Sequence, residues 1–285
     1  VGSEMCIRDR LKGLVYGAAV LTFAVLLFLI GYILVTGIPH LKPSLFQWNY
    51  TSENVSMMPA ILTTVETTAL ALLLAVPLGL FTAVYLNEYA KRGNKLVNVI
   101  RITTETLSGI PSIVYGFFGM VIIVPAVRAV AGVVGADISG SSILAASILL
   151  GIMILPTIIG VSEAALRAVP MSYYEGAVAM GARHERAIFT VMVPAAKSGV
   201  LAGIVLGIGR AIGETMAVIM VAGNQPRLTG SMLKGIRTMT ANIVLEMGYA
   251  TGLHREALIA TGVVLFVFIL LINLAFSVLK RRKEA

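Results

Sequence analysis

Residues 168–198 read AVPMSYYEGAVAMGARHERAIFTVMVPAAKS and separate two long apolar runs of the chain. The stretch is too long for a tight turn. Ser172 and Glu175 have the spacing of a capping box, in which two side chains satisfy exposed N–H groups at a helix start. Gly181 would let another backbone approach closely, and Pro194 is typical of a helix end. We therefore predict a small helix–turn–helix between the two apolar segments.

The neighbouring apolar runs belong to a pattern that covers the whole chain. A helix needs about 20 apolar residues to cross a hydrocarbon core of about 30 Å. Pro77 and Pro156 fall inside two of the runs, which membrane helices tolerate when neighbouring groups satisfy the freed backbone. The pattern predicts an all-α, polytopic membrane protein with six transmembrane helices, at residues 13–36, 59–86, 99–127, 141–166, 195–221 and 257–279.

The composition supports a lipid environment. The 285 residues are 58% hydrophobic and 13% charged, whereas soluble domains carry about 25% charged residues. The net charge of +8 does not indicate nucleic-acid binding, because the basic residues lie at the ends of apolar runs and form no basic face. Cys6 is the single cysteine, which excludes a disulfide within the chain. The cysteine and histidine spacing predicts no metal site, and nothing in the sequence indicates a cofactor.

Lysine and arginine predict the orientation of the spans. Cytoplasmic segments of membrane proteins carry an excess of these residues. With the N-terminus inside, the inner segments hold Arg8, Arg10, Lys12, Lys91, Arg92, Lys95, Arg101, Arg167, Arg183, Arg186, Lys197, Lys280, Arg281, Arg282 and Lys283. The outer segments hold Lys42, Arg128, Arg227, Lys234, Arg237 and Arg255. We therefore expect both termini in the cytoplasm and residues 168–198 on the cytoplasmic side.

The first ten residues, VGSEMCIRDR, stand apart from the apolar pattern. They are polar and resemble a translated sequencing adapter. We expect residues 1–10 to be a non-native or disordered tail, and residues 11–283 to form a single transmembrane domain.

Two charges lie inside the fifth apolar run. Arg210 and Glu214 are four residues apart, so they would share a helical face and could pair. Charges within a membrane span are expensive and indicate function. A guanidinium offers forked donors that match the oxygens of a tetrahedral oxyanion. The pair is therefore either a substrate site or a structural ion pair that locks the helix bundle, and the two roles can coexist.

The third run is interrupted by SGIPS, where Ser108, Gly109, Pro111 and Ser112 are the residues least suited to a continuous helix. Broken helices often line a transport pathway. A packing kink explains the same residues equally well, so both interpretations stay open.

At residues 175–194 the sequence resembles the EAA signature of bacterial importer permeases. Glu175, Gly176, Ala177, Gly181 and Pro194 match the spacing of that motif, with mild departures at three positions. The resemblance implies that this segment seats in a groove of an ATPase and transmits its closure. The chain has no GxxxxGK[ST] motif, so a separate subunit would hydrolyse ATP.

The wider sequence resembles the PstA/PstC permeases of the bacterial phosphate ABC transporter. The stretches SGIPSIVYGFFG, GIMILPTII and GRAIGETMAVIMVAGN carry the resemblance. Residues 11–118 are more similar to the PstA type and residues 111–283 to the PstC type. The division indicates either a chimeric sequence or a lineage whose two subunits are alike.

The family resemblance implies a MetI-like importer permease fold and a non-enzymatic role in phosphate import. It implies that Arg210 and Glu214 take part in translocation. The implied partners are a second homologous permease in a heterodimer, a cytoplasmic ATPase dimer and an extracytoplasmic phosphate-binding protein, all at the cytoplasmic membrane.

Other functions stay open beside this one. A permease of the same fold for sulfate or molybdate would need the same buried arginine. A stand-alone proton- or sodium-coupled carrier would not need an ATPase socket, and a membrane scaffold would not need Arg210. An intramembrane enzyme is disfavoured, because the chain has no HExxH or GxSxG motif.

Overall fold

The computed structural model describes residues 2–90, 94–133, 139–228 and 230–284, and within these ranges the side chains of residues 10–278. The described residues are almost wholly helical, and a single isolated bridge joins Gly223 and Ile236. The helices are α1 (Gly2–Gly37), α2 (Met58–Val84), α3 (Lys95–Gly109), α4 (Ser112–Phe118), α5 (Val124–Val133), α6 (Ile143–Arg167), α7 (Met171–Ala179), α8 (His184–Ala187), α9 (Val193–Ala195), α10 (Lys197–Gly213), α11 (Met216–Val221), α12 (Met239–Glu246) and α13 (Gly252–Glu284). Five shorter helical segments connect them: 3₁₀ turns at Ile38–His40 and Pro43–Phe46, and π turns at Tyr85–Tyr89, Gly119–Ile123 and Ile188–Met192.

The membrane-spanning pattern agrees with the expected all-α polytopic architecture. Five helical stretches are long and apolar enough to cross a membrane, and a bent pair with an angle of 66° adds a sixth when counted as one span. The five are Arg10–His40, Met58–Tyr89, Ser112–Val133, Ile143–Arg167 and Gly252–Val278, and the bent pair is His184–Ala195 with Lys197–Gly213. The prediction of an all-α membrane protein is therefore confirmed.

Helix α6 forms the centre of the bundle, and α2 and α10 pack on it. Glycines permit the close approach: a Cβ on Gly79 would lie 2.7 Å from Ile158 Cγ2, and one on Gly207 would lie 3.4 Å from the same side chain. Helices α2 and α6 continue through Pro77 and Pro156, as expected for membrane helices. Helix α1 lies at the periphery, and its apolar side chains are exposed to the surroundings.

The boundaries of two spans differ from the predicted ones. The third span begins at Ser112, and α3 is a separate helix that buries no residue. Pro111 precedes this span in an extended conformation, because its ring favours helix starts over helix interiors. The SGIPS interruption therefore separates two helices and does not kink one span. The fifth span ends at Gly213, and the chain resumes a helix only at Met216.

The structure continues α1 through residues 2–10, and the expectation that they are non-native stays a prediction. Lys91 and Arg92, which support the predicted orientation, lie outside the described residues. The side chains of the basic tail at residues 280–283 do so as well.

Candidate functional site

Arg210 lies in the last turn of α10 and is partly buried. Its Nη1 donates to Thr157 Oγ1 at 3.4 Å. Thr157 directly follows Pro156 in the central helix α6, so the contact joins two spans. A Cβ on Gly209 or Gly213 would meet nothing within 4 Å. The guanidinium thus reaches α6 on one side, while the glycines beside it leave open space.

Glu214 does not pair with Arg210, so the expected ion pair is wrong. Helix α10 ends at Gly213, and Glu214 has the extended backbone angle ψ 132°. The i,i+4 geometry requires a continuous helix, which this break removes. Glu214 Oε1 instead accepts hydrogen bonds from the backbone N–H of Thr215 at 3.1 Å and of Ala217 at 3.3 Å, at the start of α11. Both residues belong to the described part of the chain, where no ion pair within 4 Å joins them.

A short helix from the 222–254 segment reaches the same break. Thr240 of α12 donates its hydroxyl to the Glu214 carbonyl at 2.9 Å. Thr238 caps α12 by accepting from Ala241 N at 3.4 Å. Four residues of α12 are buried: Met239, Thr240, Ala241 and Asn242. Sequence reasoning missed this helix, because α12 has only eight residues within a polar, glycine-containing segment.

Span two holds α12 in place through hydroxyl groups. Thr63 Oγ1 donates to the Arg237 carbonyl at 2.8 Å, and Thr64 Oγ1 accepts from Met239 N at 3.0 Å. The four threonines of the TTVETT stretch are all buried, at positions 63, 64, 67 and 68. This run of hydroxyls inside an apolar helix is the sequence signal that could have indicated a partner segment.

An ion pair fixes the far end of α12. Arg237 Nη1 lies 2.6 Å from Glu246 Oε1, and both side chains are only 13% exposed. Arg237 also donates to the Asn224 carbonyl and to Asn242 Oδ1. A hydrogen bond to Glu246 raises the pKa of the Tyr249 phenol, with smaller contributions from burial and the carboxylate charge. Arg237 is therefore neutralised by Glu246 and has a structural role, so it is a weaker candidate than Arg210 for binding an anion.

The SGIPS interruption lies close to this region. The Tyr115 hydroxyl donates to the Leu107 carbonyl at 2.7 Å, which ties α4 to the end of α3 across the break. A Cβ on Gly116 would lie 3.0 Å from Ala217 Cα of α11. The structure thus packs α4, which follows the predicted pathway kink, against α11. Ser108 and Gly109 are exposed, and Ser108 Oγ donates to the Glu105 carbonyl.

The predicted helix–turn–helix at residues 168–198 is present with different ends. Helix α7 begins at Met171 after Pro170, with no side-chain cap, so the predicted capping box is wrong. Pro170 takes the N-cap position with an extended ψ of 135°, so Ser172 lies inside the first turn and not at the cap. Gly181 has φ +85°, and its N–H donates to the Val178 carbonyl at 2.8 Å. Pro194 lies inside α9 and does not end the helical run, which bends only at Ala196.

This segment exposes an apolar surface. Glu175 and Gly176 are exposed, and Ala177 is partly buried. A Cβ on Gly176 or Gly181 would meet nothing within 4 Å. Large apolar side chains are exposed nearby, namely Met171, Tyr173, Val178, Phe189 and Met180, the last of which is 89% exposed. Exposed apolar patches of this kind mark interaction sites.

A further ionic cluster joins α3 to α6 at the same end of the bundle. Glu163 Oε1 lies 2.6 Å from Arg101 Nη2 and 2.5 Å from Arg167 Nη2. Its carboxylate is only 12% exposed. Glu163 therefore links α3 to α6 through its ion pair with Arg101. Among the described residues, no group of three or more His, Cys, Asp or Glu side chains could hold a metal ion.

Comparisons with known proteins agree with this architecture. Residues 75–285 match the family described as "Binding-protein-dependent transport system inner membrane component". The chain is 38% identical to the "Probable ABC transporter permease protein YqgH" of Bacillus subtilis, over 83% of this chain and 76% of that protein. It is 34% identical to the "Phosphate transport system permease protein PstC" of Mesorhizobium japonicum, over 79% and 73%. A PstC 2 protein of Mycobacterium tuberculosis is 30% identical over 94% of this chain and 90% of its own length.

Solved structures show the same fold. A chain of a bacterial ABC transporter involved in the import of the acidic polysaccharide alginate superposes with a TM-score of 0.66, covering 94% of this chain and 95% of that chain at 18% identity. A chain of the MetNI methionine ABC transporter superposes with a TM-score of 0.55, covering 88% and 96% at 20% identity. The expected MetI-like fold and the resemblance to the PstA/PstC family are confirmed, while the assignment of residues 11–118 to the PstA type stays a prediction. The chain belongs to the family of inner membrane components of binding-protein-dependent transport systems, which are the permeases, not the enzymes, of ABC importers.

Proposed function

We propose that the chain is a permease subunit of an ATP-driven importer that moves inorganic phosphate into the cell. It works in a heterodimer with a second homologous permease, on a cytoplasmic ATPase dimer, and receives phosphate from an extracytoplasmic binding protein. Relatives at about a third identity that are named phosphate transport permeases support the substrate. The family match supports the dependence on a binding protein.

The observation that carries the proposal is the environment of Arg210. Its guanidinium is partly buried in the bundle and contacts the neutral hydroxyl of Thr157 at 3.4 Å. No carboxylate of the described residues lies within 4 Å of it. An uncompensated charge within a membrane is costly, so its retention supports a functional role. The remaining forked donors are available to a tetrahedral oxyanion.

Glu214 has a different role in this proposal from that of Arg210. Its carboxylate caps α11 and its carbonyl holds Thr240, so it maintains the helix break beside the arginine. Ser108, Gly109, Pro111 and Ser112 form a second break, and the helix that follows it packs on α11 through Gly116 and Ala217. Helix breaks in neighbouring segments, one of them beside a cation, are the arrangement expected of a substrate pathway.

The coupling surface is the segment that carries the EAA-like motif. Glu175, Gly176, Ala177, Gly181 and Pro194 belong to the surface that docks on the ATPase. The exposed apolar side chains around Gly176 support this docking. With the predicted orientation, both termini and this segment lie in the cytoplasm, as an ATPase partner requires.

A permease for sulfate or molybdate is the second candidate, because Arg210 would serve any tetrahedral oxyanion. Near neutral pH phosphate retains a proton and sulfate does not. The two anions therefore differ chemically, and competition between them for uptake distinguishes the two candidate substrates. A stand-alone carrier is disfavoured by the ABC importer fold.

Uptake by the reconstituted complex tests the proposal. The chain, its sister permease and its ATPase are placed in vesicles with the binding protein, and labelled phosphate is followed with ATP. We expect ATP-dependent uptake that excess sulfate or molybdate does not compete away. Arg210→Lys should lower uptake at least tenfold, because lysine keeps the charge and loses the fork. Arg128→Lys, at an exposed arginine, is the matched control. Wild-type uptake by Arg210→Lys would rule out the ligand role, and inhibition by sulfate would favour the second candidate.

A further inference from the structure

Residues 168–198 form the coupling segment, which carries the EAA-like motif. Three aromatic rings meet where this segment touches span two (Met58–Tyr89). The Tyr174 hydroxyl and His184 Nδ1 are 2.8 Å apart and share a hydrogen bond. The His184 ring makes edge contacts with Tyr174 at 5.7 Å and with Tyr89 at 5.2 Å between ring centroids. The imidazole therefore contacts both tyrosines at once, and the charged residues beside it in sequence, Arg183 and Glu185, point to solvent.

The three rings belong to three different elements. Tyr174 lies in the middle of α7, His184 is the first residue of α8, and Tyr89 ends the π turn that continues α2. Helix α7 buries no residue of its own. Because α7 has so little packing, the His184 contacts are a specific link between the exposed coupling helix and a membrane span.

The other end of the same span contacts α12. Span two runs from Met58 to Tyr89, 32 residues in all, which is about 48 Å of helix. Near its far end, Thr63 and Thr64 bind the backbone of Arg237 and Met239. Helix α12 then donates to the Glu214 carbonyl through Thr240. Span two thus touches the coupling segment at one end and, through α12, the helix break beside Arg210 at the other.

We propose that His184 is a positioning residue that fixes the coupling helix against span two, so that movement of the coupling segment reaches the Glu214 break through span two and α12. The inference rests on the proposed function, since it concerns how that importer couples ATP hydrolysis to transport. Contacts between two sites are evidence of energetic coupling only if removing them changes that coupling. The test therefore measures the amount of phosphate transported per ATP hydrolysed.

The reconstituted complex is used with three variants of this cluster. Tyr174→Phe removes only a hydroxyl, Tyr89→Leu removes only a ring contact, and His184→Leu removes both. We expect each to retain assembly and ATP hydrolysis while the phosphate transported per ATP falls, by about fivefold for the loss of one hydrogen bond. The KM for the loaded binding protein should stay unchanged. His184→Asn, which can still bind the Tyr174 hydroxyl, should recover part of the ratio. Tyr85→Phe, one turn away, is the matched control, because within the described part of the chain the Tyr85 hydroxyl makes no hydrogen bond and its ring makes no ring contact.

A distance measurement separates coupling from stability. Spin labels at Val244 of α12 and at Ser52, both exposed, should report a distance change on ATP binding in the wild-type complex. In Tyr174→Phe the resting distance should be unchanged and the ATP-dependent change reduced. A wild-type transport-to-hydrolysis ratio in Tyr174→Phe and Tyr89→Leu would overturn the inference while leaving the phosphate importer intact. Absence of ATP-dependent uptake by the wild-type complex would instead overturn the proposed function.

Discussion

The Arg210 guanidinium donates to the Thr157 hydroxyl across 3.4 Å, although Glu214 lies only four positions further along the chain. The contact ties the last turn of α10 to the central helix α6. The carboxylate of Glu214 is occupied with the start of α11. Arg210 is therefore oriented by a neutral group, which leaves its positive charge uncompensated for an anionic substrate.

Thr157 should orient the arginine without being essential. Thr157→Val keeps the shape of the side chain and removes the hydroxyl, so Arg210 loses its acceptor. Because the bond is long, we expect phosphate uptake to fall only by about two- to fivefold, near the lower part of the range for hydrogen bonds. Thr157→Ser keeps the hydroxyl and should transport at nearly the wild-type rate. Equal losses in the two variants would show that packing and not the hydroxyl matters.

Arg210 and Glu214 should behave as independent residues. If the two residues formed a structural ion pair, either single change would lower assembly and uptake. The double variant Arg210→Gln with Glu214→Gln would then restore both. The structure separates them, so we expect additive effects on assembly and no recovery of uptake in the double variant. Glu214→Gln keeps an oxygen that can accept from Thr215 N and should be mild, whereas Glu214→Ala removes the cap and should cost about 1 kcal/mol of stability. Recovery of uptake in the double variant would show that Arg210 and Glu214 act as a structural ion pair.

The spans were predictable from the sequence because a long apolar run has few alternatives to a membrane helix. The SGIPS break was recognised in the sequence, but the break at Glu214 was not. Gly213 permits a break in GRAIGETMA without requiring one, and the Glu214 carbonyl is bound by Thr240 of a distant segment. Helix α12 is too short for a periodic signal, and it is stabilised by the threonines of span two. The capping box failed for a local reason, because Pro170 provides another helix start.

The orientation of the spans can be tested by cysteine labelling in whole cells. In a background where Cys6 is replaced, cysteines at Ser52 and Met232 should react with an impermeant reagent, and one at Ala179 should react only after lysis. All three positions are exposed. Gly230 is a poor site for this purpose, because its φ of +60° would strain a cysteine. Labelling of Ala179 in intact cells would reverse the proposed topology.

Gly181 and Gly176 are needed for different reasons. Gly181 is needed for its backbone conformation, and Gly176 is needed for the free space beside it. Gly181 adopts φ +85°, a conformation that costs a non-glycine residue about 1–2 kcal/mol. A bulky substitution at Gly181 would both strain the backbone and hinder docking of the ATPase, so the two effects could not be separated. Asparagine tolerates that conformation better than most residues, so Gly181→Asn should keep assembly and transport close to wild type. Gly181→Ala should lower the thermal stability of the loop.

Gly176 isolates the docking contribution. It lies within α7, is exposed, and would meet no atom of the chain within 4 Å if it gained a Cβ. Gly176→Trp should therefore fold normally and yet prevent close approach of the ATPase. We expect the variant to lose co-purification with the ATPase and to lose ATP-dependent uptake. Gly248→Trp, at an exposed glycine with equally free space in the predicted external segment, should retain the ATPase. If Gly176→Trp retains the ATPase and wild-type uptake, the surface around Gly176 is not where the ATPase docks.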